Sequence, residues 1–178
     1  MSYKTLPIIL SNTKILLIGG GKVALQKAQV MQRNEIDFEV ISTEFIGGFE
    51  TIQAEKRQKN FSLEDIGTFF IIIDATGSKA VMQMLLEHKQ TQNFLYNCVD
   101  VPEVCDFFFA ALLEYGSLKI AVSSSGASPT LAKVIRNKIQ NIIPPNIAKL
   151  NQELQEKRRQ GIINIQETKE ALSKLLEG

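Results

Sequence analysis

Three consecutive glycines near the start of the chain have the spacing of a phosphate-binding turn. In the motif Gly19-x-Gly21-x-x-Ala24, the first glycine makes a tight turn, the second lets the main chain approach a pyrophosphate, and the small third residue lets a helix pack on a strand. N–H groups at the start of that helix would hold the phosphates. A tight turn without a ligand is the alternative. The sequence predicts a nucleotide site formed by Gly19, Gly20, Gly21, Lys22, Val23 and Ala24.

The polar residues Ser42, Thr43 and Glu44 follow the second predicted strand. An NAD site of this type usually has an acidic residue about 20 positions after the glycines, where it holds the ribose hydroxyls. Glu44 is in range, and Ser42 or Thr43 offers a hydroxyl for the same contact. No arginine follows the strand to bind a 2′-phosphate, so the sequence favours NAD over NADP. A polar loop without a ligand is the alternative.

Two more predicted strands would deliver polar residues to the same edge of the sheet. Thr76 follows the strand at residues 69–73 and is expected to touch the nucleotide, because open α/β sheets bind ligands at the carboxyl ends of their strands. Asp100 follows the strand at residues 93–99, where a carboxylate would face whatever is bound over the cofactor and act as a general base. An aspartate that only begins a turn before Pro102 fits these residues equally well.

A serine-rich loop at residues 123–128 precedes a predicted helix. Ser128 and Pro129 form an N-cap and N1 pair, so the loop brings hydrogen-bond donors to a helix start. This arrangement suits a ligand that carries carboxylates. A plain linker between a hairpin and a helix explains the loop nearly as well.

Composition excludes several classes of protein. The 178 residues are 44% apolar, which supports one domain of ordinary size, or one domain with a smaller appendage. A net charge of +1 gives no basic field for nucleic acid, and no apolar run is long enough to span a membrane. The first residues lack the apolar stretch of a signal peptide, so a cytoplasmic protein is expected.

Cysteine and histidine are too few for a metal or redox centre. Cys98 and Cys105 lack C-x-x-C spacing and are expected to be two reduced, largely buried thiols. His88 is the single histidine, so no metal site built by the protein is expected.

Hydrophobic periodicity indicates alternating strands and helices in the first part of the chain. Strands are predicted at residues 15–18, 38–41, 69–73 and 93–99, with helices after the first and third. This order predicts an α/β fold with a doubly wound, Rossmann-like parallel sheet. In the same part of the chain, residues 6–10 are expected to lie along the sheet or line a pocket, residues 51–54 to form a short strand, and residues 55–60 to form a solvated charged loop without a chemical role.

The pattern changes after residue 105. Apolar runs at residues 107–113 and 118–122 flank Glu-Tyr-Gly-Ser and predict a β-hairpin. Because the first run is apolar almost throughout, it must be covered on both faces, and a homodimer is expected. Three helices should follow, the last two at residues 146–159 and 165–177. The predicted division is a Rossmann domain at 1–105, a hairpin dimerisation segment at 106–127 and a helical segment at 128–178.

Several motifs together carry a resemblance to a known family. They are Leu6-Pro-Ile, the glycine motif with Lys27, Asp74-Ala-Thr76, Asn97-Cys-Val-Asp-Val-Pro102 and Ile120-Ala-Val-Ser-Ser-Ser-Gly-Ala-Ser-Pro129. In this order they resemble the precorrin-2 dehydrogenase and sirohydrochlorin ferrochelatase family, the siroheme synthase module. The resemblance spans roughly residues 3 to 145, and the tail beyond it matches little.

The resemblance implies an activity and a set of roles. NAD would remove a hydride from precorrin-2 to give sirohydrochlorin, and some members then insert Fe²⁺ to give siroheme. It implies that Asp100 is the catalytic residue for both steps and that the protein is a homodimer. The tetrapyrrole would lie between Asp100 and the serine loop, with the substrate-binding residues Asn97, Ser123, Ser124, Ser125 and Ser128.

The chain also departs from the family. Gly77 and Ser78 stand where members often have acidic or asparagine residues, and the methyltransferase domain of fused members is expected to be absent. Two alternatives therefore stay open. One is a dehydrogenase without chelatase activity, and the other is a non-catalytic NAD-binding sensor or regulator, for which the glycine motif suffices and Asp100 is only a turn residue.

Overall fold

The computed structural model of the protein describes residues 13–162 and 164–176. They form two compact units, one that ends at Phe108 and one that begins at Phe109. The segment at residues 6–10 lies outside the described residues, and the predicted division at residues 105 and 127 stays a prediction. In the described ranges, every helix is too short or too polar to span a membrane.

The first unit contains a five-stranded parallel sheet with the strand order β3-β2-β1-β4-β5. This is the order of a dinucleotide-binding sheet, with the topological switch point between β1 and β4. The predicted fold class is confirmed. The elements are β1 (Ile15–Ile18), α1 (Lys22–Arg33), β2 (Phe38–Ser42), β3 (Glu55–Gln58), β4 (Ile71–Asp74), α2 (Lys79–His88) and β5 (Leu95–Cys98).

Runs of apolar residues form the central strands of this sheet. All four residues of β1 are buried, because both faces of a parallel sheet are covered. On one face Leu17 belongs to the same core cluster as Ala28 of α1. On the other face Leu16 clusters with Leu85 of α2. The helices thus cover opposite faces, and the carboxyl ends of the strands form the remaining edge.

The prediction for residues 51–60 is wrong. The chain forms a 3₁₀ turn at Phe49–Thr51 and then the strand β3, where a short strand and a charged loop were expected. Because β3 is an edge strand and mostly exposed, it lacks the apolar pattern of a buried strand. The strand still contributes ion pairs to the fold, because Arg57 pairs with both Glu39 and Asp65.

The second unit consists of a β-hairpin followed by helices. The strands pair antiparallel around a two-residue turn at Gly116, whose φ of 61° favours glycine. Helix α3 packs on the hairpin, and the Arg136 guanidinium donates a hydrogen bond to the Leu112 carbonyl at 3.5 Å. The elements are β6 (Ala111–Tyr115), β7 (Leu118–Val122), α3 (Pro129–Ile142), α4 (Ile147–Arg159) and α5 (Ile165–Leu176).

The first hairpin arm begins later than the predicted run at 107–113. Phe107 packs against the core of the first unit, and its carbonyl accepts a hydrogen bond from Asn97 Nδ2 at 2.9 Å. Pairing in the hairpin starts only at Ala111. The apolar run is therefore shared between the two units, which explains why it is apolar almost throughout.

Candidate nucleotide and substrate site

The first two glycines of the turn are required by close packing. Gly19 has a φ of 123°, and a Cβ there would lie 2.6 Å from the Ala75 carbonyl oxygen. A Cβ at Gly20 would overlap the Glu44 carbonyl oxygen. The turn is further tied to its neighbours, because Gly19 N–H donates to the Ile41 carbonyl at 2.8 Å. These two glycines therefore bring the ends of β1, β2 and β4 together.

Gly21 is different, because a Cβ there would have no atom within 4 Å. It is the N-cap of α1, and the first helical bond runs from Leu25 N–H to the Gly21 carbonyl at 2.9 Å. The N–H groups of Lys22, Val23 and Ala24 therefore have no carbonyl within the helix to bond. Open space beside free N–H donors fits a pyrophosphate, and a side chain at Gly21 would fill that space.

The three polar residues after β2 have different roles. The Ser42 hydroxyl donates to the Glu44 carbonyl at 2.7 Å, so it shapes the loop. The Thr43 carbonyl accepts a hydrogen bond from Gln58 Nε2 at 3.1 Å. The Glu44 side chain is exposed, and its carboxylate has no hydrogen bond or ion pair within the described residues. Glu44 is thus the residue of the three best placed to bind ribose hydroxyls.

Asp65 organises the charges beside β2 and was not identified from the sequence. Its Oδ1 atom lies 2.9 Å from both Arg57 Nη1 and Lys59 Nζ. Its Oδ2 atom accepts hydrogen bonds from Ser62 N–H at 2.9 Å and from the Ser62 hydroxyl at 3.1 Å. Burial acts to raise the pKa of Asp65, but bonds from Lys59 and Ser62 outweigh it and hold the pKa below its ordinary value. The capping-box spacing Ser62-x-x-Asp65 was the available signal.

Thr76 is held by Asp74, which is buried at the end of β4. The Thr76 hydroxyl donates to Asp74 Oδ1 at 2.6 Å, and the Thr76 N–H donates to the same atom at 2.9 Å. The Tyr96 hydroxyl donates to Asp74 Oδ2 at 3.0 Å. Burial, followed by the Asp74 charge, raises the pKa of Tyr96. Both oxygens of Asp74 are therefore occupied, and the Thr76 hydroxyl supports the turn between β4 and α2.

Asp100 is exposed in the turn that follows β5. Its carboxylate has no hydrogen bond or ion pair to any residue that the structure describes. Gly77 approaches it, because a Cβ at that glycine would lie 3.7 Å from Asp100 Oδ2. Gly77 also has a φ of 67°, which disfavours other residues. Asp74 and Asp100 thus differ sharply, since one carboxylate supports the fold and the other is available to a ligand.

The segment after Asp100 folds back along β5 and covers its outer edge. Cys98 N–H donates to Cys105 Sγ at 3.2 Å, and the Cys105 thiol donates to the Cys98 carbonyl at 3.1 Å. Asp106 Oδ2 accepts a hydrogen bond from Tyr96 N–H at 2.7 Å. The loop that carries Asp100 is therefore closed at its base by a thiol. Both cysteines are free, as expected from their spacing, and burial raises the pKa of Cys105.

One buried and one half-buried polar group lie near this loop. Asn97 is 5% exposed and donates from Nδ2 to Phe107, while its Oδ1 atom has no hydrogen-bond partner. Lys27, on α1, is within electrostatic range of Cys105, and burial lowers its pKa from 10.5 to about 8. Asn97 therefore links β5 to the following segment, and its free acceptor is the part available to a ligand.

The serine loop lies in the second unit and is bonded within itself. The Ser124 hydroxyl accepts from Ser128 N–H at 3.0 Å and donates to the Ser128 carbonyl at 2.9 Å. Ser128 caps α3 through Leu131 N–H at 3.1 Å. Ser125 has a φ of 52°, and its N–H donates to the Ser123 hydroxyl at 3.0 Å. The loop is thus a preformed structure at a helix start, while Asp100 and Asn97 belong to the first unit.

Two protein-family models match the chain. The model described as "Putative NAD(P)-binding" matches residues 6–111. The model described as "Sirohaem biosynthesis protein central" matches residues 116–142. The two matches divide close to the boundary between the compact units.

Curated relatives named siroheme synthase are similar to most of the chain. The relative from Methylococcus capsulatus (strain ATCC 33009 / NCIMB 11132 / Bath) is 30% identical over 189 residues, which cover 100% of this chain and 39% of the relative. The relative from Blochmanniella floridana is 28% identical over 151 residues, 83% of this chain and 33% of its own length. The chain thus spans about a third of the curated relatives it matches.

A solved structure named "SirC, precorrin-2 dehydrogenase" has the same fold. It superposes with a TM-score of 0.69 and 22% sequence identity. The match covers 97% of this chain and 89% of that one, so the likeness extends through the hairpin and the C-terminal helices.

Proposed function

This chain belongs to the family of siroheme synthase N-terminal modules, and we propose that it oxidises precorrin-2 to sirohydrochlorin with NAD as the hydride acceptor. The observation that carries the proposal is the Asp100 carboxylate, which is exposed and has no partner within the described residues. It follows a strand of an NAD(P)-binding sheet, at the edge where such sheets hold their ligands. A general base at that place is what the oxidation requires.

The glycine turn and Glu44 would hold the cofactor. The N–H groups of Lys22, Val23 and Ala24 would bind the pyrophosphate beside Gly21, and Glu44 would accept hydrogen bonds from ribose hydroxyls. Ser42 and Thr76 would contribute by shaping the loops that border the nucleotide, since their hydroxyls already bond within those loops. We take NAD as the cofactor because an exposed carboxylate repels a 2′-phosphate.

The oxidation removes one hydride and one proton from the tetrapyrrole ring of precorrin-2. When bound, NAD⁺ takes the hydride and becomes NADH. Asp100 accepts the proton on a carboxylate oxygen and can return it to water because the side chain is exposed. Precorrin-2 and NAD⁺ thus give sirohydrochlorin, NADH and a proton, and no further oxidant is needed.

Two further groups, Asn97 in the first unit and the serine loop in the second, each have chemistry suited to a tetrapyrrole. Asn97 Oδ1 is a buried acceptor without a partner, so it can receive a hydrogen bond from a pyrrole N–H. N–H groups at the start of α3, with Ser123, Ser124, Ser125 and Ser128, would bind carboxylate side chains of the tetrapyrrole. These proposed roles rest on the hydrogen-bonding chemistry of the groups and on the resemblance to the family.

We also propose that the protein is a homodimer. Leu131, Val134 and Ile142 on α3 are 54%, 48% and 73% exposed, and Phe108 is 39% exposed. Apolar surface of this kind is usually buried by association. Light scattering of the whole chain at micromolar concentration should report a dimer, and Phe108→Asp should give monomer or aggregate. A monomer for the unsubstituted chain would contradict the proposal.

Insertion of Fe²⁺ as a second substrate is the next candidate reaction, and the alternative is a dehydrogenase without it. The free Asp100 carboxylate favours insertion, because it can accept the protons that pyrrole nitrogens release as the metal enters. Within residues 13–162 and 164–176, no group of three or more His, Cys, Asp or Glu side chains could hold a metal ion. The tetrapyrrole nitrogens would therefore supply the ligands.

The test is incubation of the purified chain with precorrin-2 and NAD, followed by sirohydrochlorin absorbance and NADH formation in equal amounts. Adding Fe²⁺ afterwards tests insertion separately. Tight NAD binding without either product would favour the alternative of a sensor or regulator.

A further inference from the structure

We propose that Asp65 sets the preference for NAD over NADP by holding Lys59 and Arg57 away from the position of a 2′-phosphate. The inference rests on the proposed nucleotide site at the end of β2. Asp65 contacts neither the glycine turn nor the loop at residues 42–44. It acts through the cations that it binds.

Lys59 lies beside the ribose end of β2. Its N–H donates to the Ser42 carbonyl at 3.0 Å, which continues the pairing of β3 with β2 beyond Gln58. The main chain of Lys59 is thus adjacent to the loop that carries Glu44. A long, flexible lysine at this place is the kind of cation that NADP sites place near the ribose.

The Lys59 ammonium is turned to Asp65. Lys59 Nζ and Arg57 Nη1 each lie 2.9 Å from the same oxygen, Asp65 Oδ1. The Asp65 side chain is 5% exposed, whereas that of Lys59 is 45% exposed. Because the carboxylate is buried, moving Lys59 away would leave the Asp65 charge with less compensation. Neither cation is therefore offered to an incoming phosphate.

Asp65 makes more contacts than a helix cap requires. Oδ2 alone serves Ser62 N–H and the Ser62 hydroxyl and completes the capping box. Oδ1 is left to bind the two cations. Arg57 has a second carboxylate partner, because its Nη2 atom lies 3.3 Å from Glu39 Oε2. Asp65 is the only carboxylate that pairs with Lys59 within the described residues, so loss of the Asp65 charge frees Lys59 in particular.

Asp65→Asn tests this role, because an amide oxygen can keep the bonds from Ser62 while the charge is lost. Calorimetric titration of the full chain with NAD and with NADP should show that NADP binds about tenfold more tightly than before, the scale of one charge-assisted bond. NAD affinity should be unchanged. Glu39→Gln is the matched control, since it removes a carboxylate from Arg57 but leaves Lys59 on Asp65, and it should alter neither affinity.

Lys59→Ala gives a second test that does not depend on the folding of the Asp65 variant. Alone, it should leave NADP affinity unchanged, and combined with Asp65→Asn it should abolish the gain. A weaker NADP affinity in Lys59→Ala alone would overturn the inference, and so would a folded Asp65→Asn variant with an unchanged ratio of the two affinities. If the unsubstituted chain binds neither nucleotide, the proposed function itself fails. If the unsubstituted chain binds NAD but Asp65→Asn leaves the ratio of the two affinities unchanged, only the inference about Asp65 fails.

Discussion

The Tyr96 hydroxyl donates a hydrogen bond to Asp74 Oδ2 at 3.0 Å, which joins β4 to β5 beneath the turn that leads to Asp100. Tyr96 is fully buried and Asp74 is 2% exposed. Because the other Asp74 oxygen is taken by Thr76, this tyrosine is the sole partner of Oδ2 within the described residues. A buried phenol hydroxyl therefore helps to stabilise the edge of the sheet that carries Asp100.

Tyr96→Phe should lower the free energy of unfolding by about 1–3 kcal/mol, because it leaves a buried carboxylate oxygen without a donor. Urea denaturation measures the change. Tyr115→Phe is the matched control, since the Tyr115 hydroxyl lies 3.5 Å from the Gln140 carbonyl in an exposed position. Equal losses for the two variants would show that the Asp74 bond has no special weight.

Asp100→Ala should lower the rate of sirohydrochlorin formation by about 10²–10⁴, the usual effect of losing a general base. NAD affinity should stay the same, because the groups proposed to bind the nucleotide are the N–H groups of the glycine turn and the Glu44 carboxylate. Glu103→Ala removes an exposed carboxylate three residues later and serves as the control. Full activity in Asp100→Ala would mean that Asp100 only begins the turn before Pro102.

Gly21→Val should abolish nucleotide binding without loss of stability. Gly21 has a φ of −85°, which any residue adopts, and a Cβ there meets no atom within 4 Å. The comparison is Gly19→Ala, which should destabilise the fold by about 1–3 kcal/mol, because Gly19 has a strongly positive φ and no room for a Cβ. Thermal unfolding and NAD titration of both variants separate the two effects. Retained NAD affinity in Gly21→Val would place the pyrophosphate elsewhere.

The pH dependence of stability should reveal Lys27. Burial lowers the pKa of Lys27 from 10.5 to about 8, so between these pH values the native state binds fewer protons than the unfolded state. The contribution of Lys27 to stability therefore becomes more favourable as the pH rises from about 8 to about 10.5. Urea denaturation of the unsubstituted chain and of Lys27→Met across this range measures it, because the free energy of unfolding of the unsubstituted chain should rise relative to that of the variant. Lys79→Met, at an exposed lysine of α2, is the control for the loss of one lysine.

The sequence predicted the elements whose signals are local. Four apolar residues before the glycines identify β1 and its turn, and Ser128-Pro129 identifies the start of α3. The strand β3 was missed because an edge strand needs no apolar alternation, and Asp65 was missed with it. The state of each aspartate could not be read from its neighbours in the chain. Asp74 is occupied through Tyr96, 22 residues away, and Asp100 is approached by Gly77 from another turn.

The thiol contact at the end of β5 has a consequence for how copies of the protein can meet. An edge strand with free N–H and carbonyl groups is a template for strand addition by a second molecule. Here the groups of Tyr96 and Cys98 are already bonded to Cys105 and Asp106 of the same chain. The sheet is therefore sealed against edge-to-edge pairing at β5, and a copy that associates with this protein must do so elsewhere on its surface.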